Sequence, residues 1–297
     1  MTAADLLGSL PGLFGHPFFR DAVVAGTAIA LAAGLVGYFL VLRSQVFTGD
    51  ALSHVAFTGA LAALALGFSL RAGLYGSCVV FAVLIGTLGP RGRADDTVVG
   101  SVFAWILGLG ALFLTVYADG SSGANGTAGV TVLFGSIFGL SAGQAAADTA
   151  ITLAVAAAMV VIARPLLFAS VDEAVAGVRG VPVRGLGYLF LILVGVTAGA
   201  ATQAVGALLL LGLLAAPAGA AQRLTARPFA GMALSAGLAV GSMWVGLLVS
   251  DVAPRVPPSF GILGTATAVY VVAAAVAAAR RRTRHPRASP VDRPQPA

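Results

Sequence analysis

Long apolar runs broken by short polar punctuation organise this chain of 297 residues. The first run, Asp21 to Leu42, has the roughly 20 residues needed to cross about 30 Å of hydrocarbon, and Arg43 closes it. A second starts at Ala51 and fades near Leu70. Leu74 to Leu88, Thr97 to Ala118 and Thr149 to Phe168 follow. Val130 to Leu140 is too short to span and reads as a half-helix or re-entrant piece. After a polar island at Ser170–Arg184 come Leu186 to Gly199 and Val205 to Gln222, the latter interrupted by Pro217. Phe229 to Val249 and Phe260 to Ala279 complete the series. The pattern predicts an all-α, polytopic membrane bundle of about nine transmembrane helices plus the short piece. It divides into an interfacial lead (1–19), a membrane domain (20–279) and a basic, disordered tail (280–297).

Composition agrees. Hydrophobic residues make up 59% of the chain and charged residues 9%, against about 25% charged in soluble domains, so the solvent must be largely lipid. The net charge of +6 is therefore a topological signal and points to no nucleic acid. All basic residues are arginine. Without lysine the chain carries no phosphate-binding P-loop, so it is read as no enzyme and without an ATPase site of its own. One cysteine, Cys78, excludes a disulfide framework or a cysteine-rich zinc site. No cleavable signal peptide is apparent. Arginines at Arg43, Arg91/Arg93, Arg164–Arg184, Arg223/Arg227 and in the tail place those loops in the cytoplasm. The amino terminus is then outside and the carboxyl terminus inside; Arg71 and Arg255 fall on the outer side.

Candidate chemistry concentrates in Gly49-Asp50-Ala51-Leu52-Ser53-His54. Positions four apart share a helix face, so Asp50 and His54 aim at one spot. His16 and His285 lie outside the spans. A plain structural role is a helix cap for Asp50 and a carbonyl bond for His54. As a ligand pair, carboxylate plus imidazole suits Zn2+, Mn2+ or Fe2+ and suits Mg2+ poorly. Two ligands fall short of the four that zinc prefers, and a two-fold dimer would complete the set. The island is either a plain linker or a short amphipathic helix, Val171 to Val178, that docks a soluble partner. Gln203 could line a path or cross-link helices, and Pro217 could act as a hinge or a simple kink.

At these residues the chain resembles the permease subunits of zinc/manganese ABC importers, the ABC-3 family. The likeness rests on the Gly-Asp-x-x-Ser-His core, on Val41-Leu42-Arg43 and on Leu133-Phe134-Gly135-Ser136-Ile137. It extends through Val205-Gly206-Ala207-Leu208-Leu209 to Pro217-Ala218, and through the Asp172…Ala176…Gly180-Val181-Pro182 island. It covers about Phe18 to Ala279. The resemblance implies the fold of the larger importer type and a multi-pass protein of the bacterial plasma membrane. It implies a homodimer, two cytoplasmic ATP-binding cassette subunits and an extracytoplasmic metal-binding protein as partners. Asp50 and His54 of both copies would hold Zn2+ or Mn2+ in transit, with no permanently bound cofactor. Asp172, Glu173, Ala176, Gly177, Gly180 and Pro182, within 170–185, would couple to the ATPase. Three other functions fit parts of the pattern. A siderophore or cobalamin permease needs a wide path and no bare ligand pair, and a secondary carrier would use Asp50 as a proton relay. A membrane metalloenzyme would need a second histidine cluster, which the sequence lacks.

Overall fold

The computed structural model describes residues 17–89, 93–119, 131–208, 210–253 and 255–284. Nine helices of fifteen residues or more follow one another among these residues: α1 Pro17–Leu42, α2 Val46–Ala65, α3 Leu70–Leu88, α4 Asp96–Asp119, α5 Ala142–Val171, α7 Val183–Val205, α8 Leu210–Leu224, α9 Pro228–Val252 and α10 Pro258–Arg284. The short α6, Glu173–Val178, sits between α5 and α7.

Seven of these helices are long and apolar enough to cross a membrane. The remaining two long helices, α2 and α8, differ for physical reasons. α2 carries Asp50 and His54, and α8 has 15 residues, about 22 Å of helix. The multi-pass helical architecture thus stands, and seven crossings are what length and hydropathy show of the nine expected.

Most expected helices start or end elsewhere than the apolar runs suggest, because caps outrank hydropathy at the ends. α5 starts at Ala142 rather than Thr149: Ser141 accepts from the Gln144 amide while the Gln144 side chain accepts from the Ser141 amide, a reciprocal capping box. α3 starts early on the Ser69 hydroxyl, which accepts from the Ala72 amide. The motif helix α2 begins at Val46, not Ala51, after a corner in which Ser44 takes a positive φ of 56°. The expected run Val205–Gln222 is not one helix. It breaks at Gly206, whose φ of 98° closes α7, and resumes at Leu210. Residues 131–140 form a helical turn over 131–134 and a 3-10 turn at Ile137–Gly139, a short broken piece and not a spanning helix. α10 runs as helix through Arg284, where a disordered tail is expected from Arg280. Residues 1–16 and 285–297 lie outside the described part.

α1 and α7 form the centre: 78% and 72% of their most apolar windows are buried, against 22% for α4 and 17% for α10. α2 packs between α3, α4 and α7. Its approach to α3 is close. A Cβ on Gly59 would stand 2.6 Å from the Gly73 carbonyl, so only glycine fits there.

Candidate functional site

The site is built on α2. Between Thr48 and Thr58 every residue except Asp50 and His54 is buried. These two are half-buried and one turn apart on the same face, with Phe47 continuing the stripe at its start. The rest of the helix is locked. Ser53 Oγ lies 2.6 Å from the Asp50 carbonyl and 3.0 Å from the Ala207 carbonyl, and so ties α2 to the break after α7. Thr58 donates to the Ile106 carbonyl of α4 at 3.1 Å. Cys78 Sγ, fully buried, sits 3.5 Å from the Leu52 carbonyl.

Asp50 is therefore no cap; Gln45 occupies that position. The His54 ring meets Phe103 of α4 edge to face, centroids 5.2 Å apart at 75°. Phe103 also touches Phe47, at 5.4 Å, and forms a hydrophobic shelf beside the pair. Among the described residues no side-chain hydrogen bond engages Asp50 or His54, and no third His, Cys, Asp or Glu joins them. One chain therefore offers an oxygen and a nitrogen ligand on an open face, short of a full coordination shell.

The residues expected to couple to an ATPase lie together in one turn–helix–turn. Asp172 accepts from the Val175 amide at 2.9 Å and caps α6, which Glu173 opens. Ala176 is buried, Gly177 borders open space, Gly180 has φ of 82° after the helix, and Pro182 caps α7. Val171 and Val178 are 78% and 90% exposed, two apolar side chains left uncovered among the described residues. A groove of about 430 Å³ runs alongside, lined by Glu173, Gly177 and Arg184 among others.

This segment is tied to the corner that launches α2. Arg43, buried at that corner, donates through Nε to Gln45 Oε1 at 3.1 Å and through Nη1 to Ser170 Oγ at 3.5 Å. Its guanidinium lies 5.4 Å from the centre of the Phe190 ring. Burial first, then repulsion from Arg93, lowers its pKa to about 10, with Glu173 opposing the shift; it stays charged at neutral pH. Arg93 donates to Glu173 at 3.2 Å, and Gln45 donates to the Ala94 carbonyl at 3.3 Å.

The remaining expected residues lie apart from Asp50 and His54. Gln203 lines a separate cavity of about 480 Å³ with Arg71, Ser136 and Gln144, and its Oε1 is buried without a hydrogen-bond partner. Pro217 is buried within α8. Sequence reasoning missed one cluster. Asp148, fully buried inside α5, accepts from Arg71 and, at 2.7 Å, from Tyr75, both on α3. The available signal was Arg71 and Tyr75 four apart in an apolar run, together with Arg71 as an exception to the arginine topology.

The profile of the ABC 3 transport family matches residues 15–277. The manganese transport system membrane protein MntC of Halalkalibacterium halodurans is 29% identical over 242 residues, 80% of each chain. The chelated iron transport system membrane protein YfeD of Yersinia pestis is 30% identical over 206 residues, 69% of this chain and 67% of its own. Among solved structures, PsaBC from Streptococcus pneumoniae in complex with Fab superposes with a TM-score of 0.74 at 25% identity, over 92% of this chain and 95% of that one.

Proposed function

Because the chain belongs to the ABC 3 transport family, we propose that it is the membrane permease of an ATP-driven importer for a divalent transition metal, Mn2+ or Zn2+. Asp50 and His54 hold the ion in transit. The observation that carries this reading is the open face of α2: two metal-binding side chains, half-buried, in an otherwise buried stretch, with no intrachain hydrogen-bond partner among the described residues. Ionisable groups inside a membrane bundle are costly and are retained where they serve an ion path. Two ligands per chain fit a site shared by two copies, which would supply two carboxylates and two imidazoles around one axis.

In the mechanism, an extracytoplasmic binding protein releases metal to Asp50 and His54 while the path is open outward. ATP-binding subunits seat against α6 and the exposed Val171 and Val178 on the cytoplasmic side. Their closure shifts Glu173, and Arg93 and Arg43 carry that shift to the start of α2, so the site reopens inward. A path ion must also leave, so two ligands from each copy hold it more weakly than a closed structural cage would.

Uptake of radiolabelled Mn2+ by cells carrying the complete transporter tests this. Asp50→Ala or His54→Ala should abolish uptake while the protein stays in the membrane; wild-type uptake in both variants would refute the site. The likeness to a chelated-iron permease supports a second cargo. Competition by excess iron chelate, but not by free Mn2+ or Zn2+, would favour that reading.

A further inference from the structure

At one end of the bundle the last turn of α8, the first turn of α9 and the last turns of α10 enclose a cavity of about 530 Å³. Arg223, Arg227 and Arg280 line it together with Thr225, Leu224 and Ala277, and no carboxylate stands in its wall among the described residues. Arg223 is held in place: its guanidinium stacks 4.9 Å from the centre of the Tyr270 ring and donates to the Tyr270 hydroxyl at 2.7 Å. The Arg227 amide donates to Thr225 Oγ1 at 3.2 Å, and no side chain caps α9. The first turn of α9 therefore adds amide donors and the positive end of its dipole to an already cationic pocket.

The pocket is joined to an exposed apolar surface. On α10, Val272, Val276 and Arg280 recur every four residues and so share one face. The two valines are 62% and 36% exposed. Phe229, directly after the α9 start, is 49% exposed. An apolar stripe thus runs along the outer helix and ends at a guanidinium, the order in which a phospholipid presents acyl chain and then phosphate. The positive-inside rule puts this end at the cytoplasmic leaflet, where anionic lipids supply the counter-charge.

We infer that this pocket is a binding site for the phosphate headgroup of an anionic phospholipid, with its acyl chains laid along Val272 and Val276. The inference is independent of the cargo and of Asp50 and His54.

Native mass spectrometry of the full-length protein in detergent, titrated with phosphatidylglycerol and with phosphatidylcholine, tests it. Wild type should bind phosphatidylglycerol in preference to phosphatidylcholine. In the double variant Arg223→Gln/Arg227→Gln that affinity should fall about 30-fold, since each basic contact near an anionic headgroup contributes about 1 kcal/mol. Arg255→Gln, which removes one charge at the other end of the same helices, should leave binding unchanged. Equal loss with Arg255→Gln, or undiminished binding in the double variant, would overturn the site. So would equal affinity for phosphatidylcholine. Competition by glycerol phosphate as effective as by the lipid would assign the pocket to a free phosphate instead. Loss of a co-purifying ATPase with lipid binding intact would assign it to protein docking.

Discussion

Arg93, between α3 and α4, donates to Glu173, the first residue of α6, across 3.2 Å, while the other oxygen of that carboxylate is buried without a hydrogen-bond partner. One carboxylate therefore faces two arginines, Arg93 in contact and Arg43 within electrostatic reach. Glu173→Gln should cost under about 1 kcal/mol of stability, the range of partly exposed ion pairs. Uptake per ATP hydrolysed should nevertheless fall severalfold, because the link from α6 to the α2 corner is weakened. Thermal unfolding reads the first, and transport and ATPase assays on the reconstituted complex read the second. Unchanged coupling would remove Glu173 from the transmission path.

Arg43 should not tolerate lysine. Its Nε bond to Gln45, its reach to Ser170 and its place over Phe190 all use the planar guanidinium. Arg43→Lys keeps the charge and loses that geometry, so uptake should drop although expression holds. Full activity in Arg43→Lys would mean that charge alone suffices.

The Arg71–Asp148 pair is a stability element. Asp148→Asn leaves Arg71 facing a neutral group and should lower stability by about 3 kcal/mol, at the low end for a broken buried pair because Arg71 is a quarter exposed. The double variant Asp148→Leu/Arg71→Met should recover most of the loss. Thermal unfolding in detergent of Asp148→Leu, of Arg71→Met and of their double variant gives the coupling; strict additivity would contradict the pairing.

Gly206→Ala should destabilise the break between α7 and α8 by about 1–3 kcal/mol. Its φ of 98° disfavours any Cβ, and the added carbon would press on the backbone at Leu133 and Phe134. The same unfolding assay reads it. A neutral result would mean that the break relaxes freely.

The order of the nine long helices was legible because apolar run length is a strong local signal, and Asp50 and His54 stood out because i, i+4 spacing is local too. Helix starts were less legible. Ser141 and Gln144 extend α5 into an Ala- and Gly-rich stretch where hydropathy alone sees a loop. That extension hid Asp148, which the shorter span leaves at a helix end. Its partners lie 77 and 73 residues away, beyond any spacing rule. The tie between Arg43 and Ser170 spans 127 residues and was invisible for the same reason. Gly206 is a different failure: it sits inside an unbroken apolar run, and only its backbone angle reveals the stop.

The central claim is that a transition-metal ion is shared between Asp50 and His54 of two copies. Its most direct test is the stoichiometry of Mn2+ bound to the purified, full-length transporter, measured by elemental analysis beside protein mass. The expected result is one site-bound ion for every two permease chains, absent in Asp50→Ala and in His54→Ala. One ion per chain, or binding that survives both substitutions, would contradict it.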